Sequence, residues 1–196
     1  NIPTPETYRG NVSCTGPRAC YDESKRYGET LCVNFSQQYD LPIRIARPFN
    51  NYGPGLKISD RRALPDFVRN IINNEDIVLF SDGSPTRTFC YVADAVVGYF
   101  KILIRGENGE SYNIGNDDEE ITMVALAQMI INLIQKEVNV NPLPPTEGSP
   151  ERRCPSIAKL KKVISYKQNY PLEKGLEETF IWYNKNVFSG VEVSAI

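Results

Sequence analysis

"ACYDESKRYGETLC", residues 19–32, sets Tyr21 four positions before Lys25. In a helix the two side chains share a face, one turn apart. A lysine ammonium at that separation favours the phenolate form of a tyrosine, and a phenolate can remove a proton from a hydroxyl group. The spacing alone does not establish such a role. "YPLEK" repeats it at Tyr170 and Lys174, with Pro171 suited to a first helical turn. A surface tyrosine and lysine without chemistry is the commoner meaning of the pattern, so the second copy serves as an internal control on the first.

Around the first pair, residues 17–39 lack internal proline and carry apolar residues compatible with a helix, which Gly28 weakens by about 1 kcal/mol. "LPIRIARPF" predicts a short strand between Pro42 and Pro48, and "NNYGPGLKISD" a turn-rich loop. A helix is expected from Arg62 to Asn74, then a strand, an Asp-Gly turn and a second extended piece in "DIVLFSDGSPTRTFCYV". Asp94 to Ile104 predicts another helix and "SYNIG" another strand. Thr122 is a candidate cap for a helix whose Met123, Leu126, Ala127, Ile130, Leu133 and Ile134 form one apolar face. "VNPLPPTEGSP" is a proline-rich connector, "SIAKLKKVI" a short helix and "PLEKGLEETFIWYNK" a final one. Helices alternate with short strands, so the fold class is α/β. No G-x-G-x-x-G turn, the phosphate-binding device of dinucleotide folds, occurs in the sequence.

The 196 residues are 41% hydrophobic and 23% charged, enough for one buried core. A formal net charge of −2 gives no electrostatic reason to expect nucleic-acid binding. The basic residues of "ISDRR", "TRT" and "ERR" suit small anionic groups better than a polymer. With no histidine and five scattered cysteines lacking C-x-x-C spacing, a structural zinc site and imidazole chemistry are not expected. Cys32 and Cys90 have apolar neighbours and are expected to be buried, in keeping with a reducing, cytoplasmic setting. No apolar run approaches the roughly 20 residues of a membrane span, so no membrane association is expected. The opening "NIPTPETYRGN" has the character of a loop interior, as if the chain began within a larger unit.

"GPRACYDESKRYGETL", "RPFNNYGPG", "DGSPTRTFCYVAD", "YNIGN" and "ERRCPSI", in that order, resemble the C-terminal half to two-thirds of the extended short-chain dehydrogenase/reductases that remodel nucleotide sugars. Within that family the first three motifs are most similar to the UDP-glucuronate decarboxylases. The resemblance runs from about residue 5 to residue 183 and implies a Rossmann-like fold lacking its Gly-rich N-terminal half. Residues 1–61 would close the NAD-binding domain with the Tyr-Lys helix. Residues 62–186 would mainly bind the nucleotide sugar, with some segments returning to the Rossmann sheet, and 187–196 form a tail. Carried over residue by residue, Tyr21 matches the catalytic tyrosine and Lys25 the lysine that also holds the nicotinamide ribose. Pro48 lies where the backbone meets the nicotinamide, and Asn50 where the substrate is contacted. Arg62 and Arg87 match arginines that hold the nucleotide diphosphate, as guanidinium forks do well. Arg153 matches an arginine beside the reacting carboxylate. Tyr170 and Lys174 match nothing.

The reaction so implied is oxidation of the sugar at C4 with NAD as hydride acceptor, loss of CO2 from the β-keto acid, and return of the hydride, giving UDP-xylose from UDP-glucuronate. A 4,6-dehydratase or a 4-epimerase would use the same Tyr-Lys pair. A non-catalytic module that binds nucleotide sugars or dimerises is the alternative of another class. A homodimer, built through the helix bearing the pair, is also implied. Two departures stand out: Ser24 occupies a position where relatives commonly carry a smaller residue, and "DRR" replaces Asp-Gly-Arg. The strand in "IRIARPF" is expected to leave an apolar edge and faces uncovered.

Overall fold

The computed structural model describes residues 1–60, 62–145 and 147–188. In chain order the elements are α1 (Ala19–Tyr39), β1 (Ile45–Pro48), β2 (Asn51–Tyr52), α2 (Ala63–Ile72), β3 (Ile77–Leu79), β4 (Thr86–Thr88), β5 (Cys90–Tyr91) and α3 (Val92–Arg105). They continue with β6 (Ser111–Ile114), β7 (Glu120–Thr122), α4 (Met123–Ile134), β8 (Val140–Pro142), β9 (Arg152–Arg153), α5 (Ala158–Ile164) and α6 (Leu172–Asn186). The strands pair as three small parallel sheets, β1–β6, β2–β5 and β3–β8, and one mixed sheet in the order β7–β4–β9. Parallel pairing joined by helical crossovers is the α/β arrangement expected from the sequence.

Apolar residues at helical spacing explain the larger core. Leu64, Phe67, Val68, Ile71 and Ile72 of α2, Leu126, Ala127, Ile130, Ile131 and Ile134 of α4, and Leu172, Leu176, Phe180 and Tyr183 of α6 are buried together. Thr122 caps α4 as expected, accepting the Ala125 N–H at 3.2 Å. Gly175 lets α6 approach β2: a Cβ there would stand 2.1 Å from the Tyr52 hydroxyl, which donates to the Leu172 carbonyl. A second cluster, including Cys90, Ala95, Ile102, Tyr112, Ile114, Ile157 and Leu160, packs around the β1–β6 ladder. Cys90 is buried as expected, and its thiol is pushed up to about 11 by that burial.

Helix α1 is built differently. It has no buried residue, and Tyr27, Leu31, Val33, Phe35 and Tyr39 are exposed along it. Cys32 is therefore exposed, contrary to expectation, because no element among the described residues covers the apolar side of α1. The β1 edge not paired with β6 is likewise unpaired among the described residues, as the strand's reading anticipated. Strands β2 and β8 lie in stretches expected to be loop or connector, and β7 and β9 in stretches whose sequence points to no strand. At two or three residues each they are too short for an alternating pattern, and their partners, not their composition, make them strands. Arg61 of "DRR" and residues 189–196 of the expected tail lie outside the described residues.

Candidate active site

Polar contacts, in place of apolar packing, position α1. From β1, Arg47 reaches Glu29 of α1 with both arms of its guanidinium, Nε to Oε1 at 2.7 Å and Nη2 to Oε2 at 2.6 Å. Its remaining Nη1 donates to the Glu6 carbonyl at 2.7 Å. The fork holds helix, strand and N-terminal segment at once, and the Glu29 hydrogen bonds raise the Arg47 pKa further above its ordinary value. Arg26 of α1 donates to the Arg9 carbonyl at 2.6 Å. The pair at the start of α1 is thereby set on one face: the Lys25 ammonium lies 5.4 Å from the Tyr21 ring centroid. Tyr21 is 60% exposed, and Lys25 forms no ion pair or hydrogen bond among the described residues. An unengaged ammonium beside an exposed phenol can hold a ribose diol, so these residues fit the nicotinamide-ribose end of NAD. Pro48, exposed at the carboxyl end of β1, stands where ligands meet parallel sheets. Residues for the pyrophosphate end are not among the motifs of this sequence.

Opposite the pair lies a concentration of positive charge. Strand β9 runs parallel to β4 with Arg153 in register with Arg87. Arg87 donates to the carbonyls of Thr86, Pro150 and Glu151 at 2.8, 2.6 and 3.0 Å, which folds residues 150–151 over it. Arg153 donates to Asn50 Oδ1 at 3.5 Å. Neither arginine has a carboxylate partner among the described residues. Burial, then the charges of Arg153 and Arg18, hold Arg87 down to about 10. Burial and Arg18 likewise lower Arg153, while Tyr21 and Asp22 are close enough to oppose that shift. Like charges brought together and partly desolvated, with no carboxylate paired to Arg87 or Arg153 among the described residues, form a receptor for an anion.

The segment carrying Arg153 is fixed by backbone contacts at the strand ends. Thr4 N–H donates to the Cys154 carbonyl at 2.8 Å and Ser156 N–H to the Thr4 carbonyl at 2.9 Å, while Asn113 Nδ2 donates to Thr4 and Ser156. Gly115 permits the approach, since a Cβ there would lie 2.7 Å from Pro155.

The structure therefore brings together Tyr21, Lys25, Asn50, Arg87 and Arg153. Asn50, held at a positive φ of 45°, spends its amide on the Thr88 carbonyl at 2.8 Å and its oxygen on Arg153, so it also braces the site. Arg62 makes no hydrogen bond or ion pair with the group among the described residues; it is exposed before α2 and paired with Asp60 at 2.6 Å. The control pair reproduces the local geometry, with the Lys174 ammonium 5.4 Å from the Tyr170 centroid. Its tyrosine instead stacks on Tyr91 at 4.5 Å and is a packing residue.

Residues 2–115 match the NAD dependent epimerase/dehydratase family. The chain belongs to that family. It is 40% identical over 181 residues to UDP-glucuronic acid decarboxylase 5 of Arabidopsis thaliana, covering 91% of this chain and 52% of that protein. With UDP-glucuronic acid decarboxylase 1 of Danio rerio it shares 35% identity, covering 94% and 44%. The chain thus spans about half the length of the curated relatives it matches. Among solved structures, dTDP-glucose 4,6-dehydratase DesIV of Streptomyces venezuelae, with NAD and TYD bound, superposes with a TM-score of 0.82 at 25% identity, covering 93% and 54%. UDP-glucuronic acid 4-epimerase of Bacillus cereus, in complex with UDP-glucuronic acid and NAD, gives 0.80 at 26%, covering 91% and 57%. These are extended short-chain dehydrogenase/reductase folds, as the motifs implied.

Three features of this arrangement carry no motif that announces them. Arg18 lay in plain sight one turn before Tyr21. The Glu29–Arg47 fork joins residues 18 apart with no local signature, and Gly115 is legible only once its neighbour Pro155 is known.

Proposed function

We propose that this chain is the catalytic and substrate-binding portion of an NAD-dependent nucleotide-sugar decarboxylase, acting on UDP-glucuronate to give UDP-xylose through a 4-keto intermediate. The observation that carries the reading is the exposed Tyr21–Lys25 pair facing Arg153 and Arg87, two half-buried arginines with no acidic partner among the described residues. Lys25 and the Pro48 backbone hold the nicotinamide end of NAD, which when bound takes a hydride from the sugar and later returns it. Tyr21 accepts the proton of the 4-hydroxyl and keeps a hydrogen bond to the oxygen it leaves. The carboxylate is then β to a ketone, and Arg153 orients it so that the bond to be broken lies across the carbonyl π system. As CO2 departs, the electrons pass into an enolate stabilised by the protonated Tyr21 beside its oxygen; a proton from solvent then adds at C5, and when the hydride returns to C4, Tyr21 gives its proton back to the oxygen. Arg87 and Arg62 serve the diphosphate and Asn50 the sugar.

Incubation of the natural-length protein with NAD and UDP-glucuronate should yield UDP-xylose and CO2. Conversion of UDP-glucose or dTDP-glucose in its place, without decarboxylation, would replace this reading with the dehydratase or epimerase one, which uses the same pair and is supported by the solved neighbours. Replacement of Arg153 by Ala should abolish CO2 release with little loss of nucleotide binding. Assembly as a homodimer through α1 is supported by that helix's exposed Tyr27, Leu31, Phe35 and Tyr39, and sedimentation of the natural-length protein tests it. A reducing, cytoplasmic setting is supported by five free cysteines; among the described residues no helix is long and apolar enough to cross a membrane.

A further inference from the structure

The arginine that precedes the Tyr-Lys pair has no role so far. Arg18 occupies the position before the first residue of α1 and its carbonyl accepts the N–H groups of Tyr21 and Asp22, so its backbone is fixed by the helix it opens. Its guanidinium carbon lies 5.6 Å from the Tyr21 ring centroid, while Lys25 approaches the same ring at 5.4 Å. Its aliphatic stem borders the 147–151 segment: a Cβ at Gly148 would be 3.5 Å from Arg18 Cδ. That segment runs on to the Pro150 carbonyl held by Arg87 and to Arg153 in strand β9. The guanidinium groups of Arg18, at the start of α1, and Arg153, from β9, thus come together near one phenol, and Arg87 of β4 lies in register with Arg153. The acidic neighbour of Arg18 among the described residues is Asp22, at 3.7 Å and beyond hydrogen-bond distance, so the donors of its fork remain available.

The position relative to Tyr21 selects the anion. A base that takes the proton from the 4-hydroxyl of a uronic-acid sugar stands two carbon–carbon bonds from the carboxylate, whereas the diphosphate hangs from the anomeric carbon across the ring. Arg18, over the phenol ring, is therefore presented to the carboxylate, while Arg87, in register with Arg153, spends its guanidinium on the carbonyls of Thr86, Pro150 and Glu151. Resting on the nucleotide-sugar reading of this site, we infer that Arg18 contacts substrate and, with Arg153, grips the sugar carboxylate, so that Arg18 sets the preference for uronic-acid over neutral hexose substrates.

Calorimetric titration with UDP-glucuronate and with UDP-glucose tests this directly. In Arg18→Met, affinity for UDP-glucuronate should fall by about tenfold or more, the scale of a lost charge-assisted contact, while UDP-glucose changes less than about twofold. Arg18→Lys, which keeps the charge but loses the fork, should fall between. Equal weakening toward both ligands would make Arg18 a nucleotide or folding residue and overturn the inference, as would no change toward either. The wild type offers a check that needs no variant: it must bind UDP-glucuronate more tightly than UDP-glucose, with the excess shrinking as salt is raised, and equal affinities overturn the assignment. The two proposals fail separately. Loss of the uronate preference with decarboxylation intact removes only the role of Arg18; a retained preference without CO2 release removes only the reaction.

Discussion

Replacing Arg47 by Met should loosen α1 while leaving the rest of the protein folded. The helix buries no side chain of its own, so its attachment rests heavily on the Arg47 fork to Glu29 and the third bond to the Glu6 carbonyl. A hydrogen bond to a charged group contributes about 1.5–3 kcal/mol when well buried. The side chains of Arg47 and Glu29 retain 28% and 33% of their exposure, which screens the pair and places the whole cluster near the lower end of that range. About 2 kcal/mol is the reasonable loss, roughly a 30-fold rise in the opening equilibrium of α1. Native-state hydrogen exchange read by mass spectrometry measures it: peptides from residues 19–39 should exchange roughly 30-fold faster, while those from α2 and α4, inside the apolar core, should hold their rates. Turnover at Tyr21 should fall as exchange in α1 rises, because the pair rides on the loosened helix. Exchange in α1 unchanged from wild type would refute the tether, and equal acceleration in α1, α2 and α4 would show that Arg47 supports the whole fold.

Other perturbations act on the site or its supports. Tyr21→Phe removes an exposed hydroxyl, so the melting temperature should stay within a degree or two while NAD-dependent turnover falls about 10²–10⁴-fold; substantial residual turnover would assign the proton transfer elsewhere. Arg87, held down to about 10 by burial and then by Arg153 and Arg18, is disfavoured as a cation in the folded protein. That cost is present in full at neutral pH and fades as pH rises through the folded value toward the ordinary 12.5. Binding of UDP, which uses the charge, should thus stay level at neutral pH and weaken from about pH 9 to about pH 11, and Arg87→Met should flatten that decline; an identical profile in the variant would take Arg87 out of nucleotide binding. Gly175→Ala would drive a methyl group into the Tyr52 hydroxyl and, at 3.0 Å, toward Tyr91. The gain of about 1 kcal/mol in helix propensity is outweighed by overpacking of about 1–3 kcal/mol, so calorimetry should show a lower melting temperature, and a rise would refute that packing.

The fold was legible where a long periodic signal met a core. Helices α2, α4 and α6 announce themselves through apolar residues three and four apart, because that stripe is the physical cause of their burial. Strands β7, β8 and β9 do not, since a pair such as Arg152–Arg153 is a strand only by virtue of the backbone it meets in β4. The misplacement of Cys32 has a related origin. Apolar neighbours in sequence predict burial only if another element covers that side of the helix, and α1 has none among the described residues.

For the site, the two Tyr-x-x-x-Lys pairs separate what spacing can determine from what it cannot. Both place an ammonium 5.4 Å from a phenol ring, so the local geometry is dictated by the helix and carries no functional information. What differs is what each phenol faces. Tyr170 presses on Tyr91, and its own N–H is held by the buried carboxylate of Asp94, so it belongs to the packing of the core. Tyr21 stands open near Arg18 and Arg153, with Arg87 in register with Arg153, a grouping created by the parallel match of β4 and β9 and by the anchoring of α1 to β1. The motifs "GPRACYDESKR", "TRT" and "ERR" each supply one of those cations, and their common destination exists only in the folded chain.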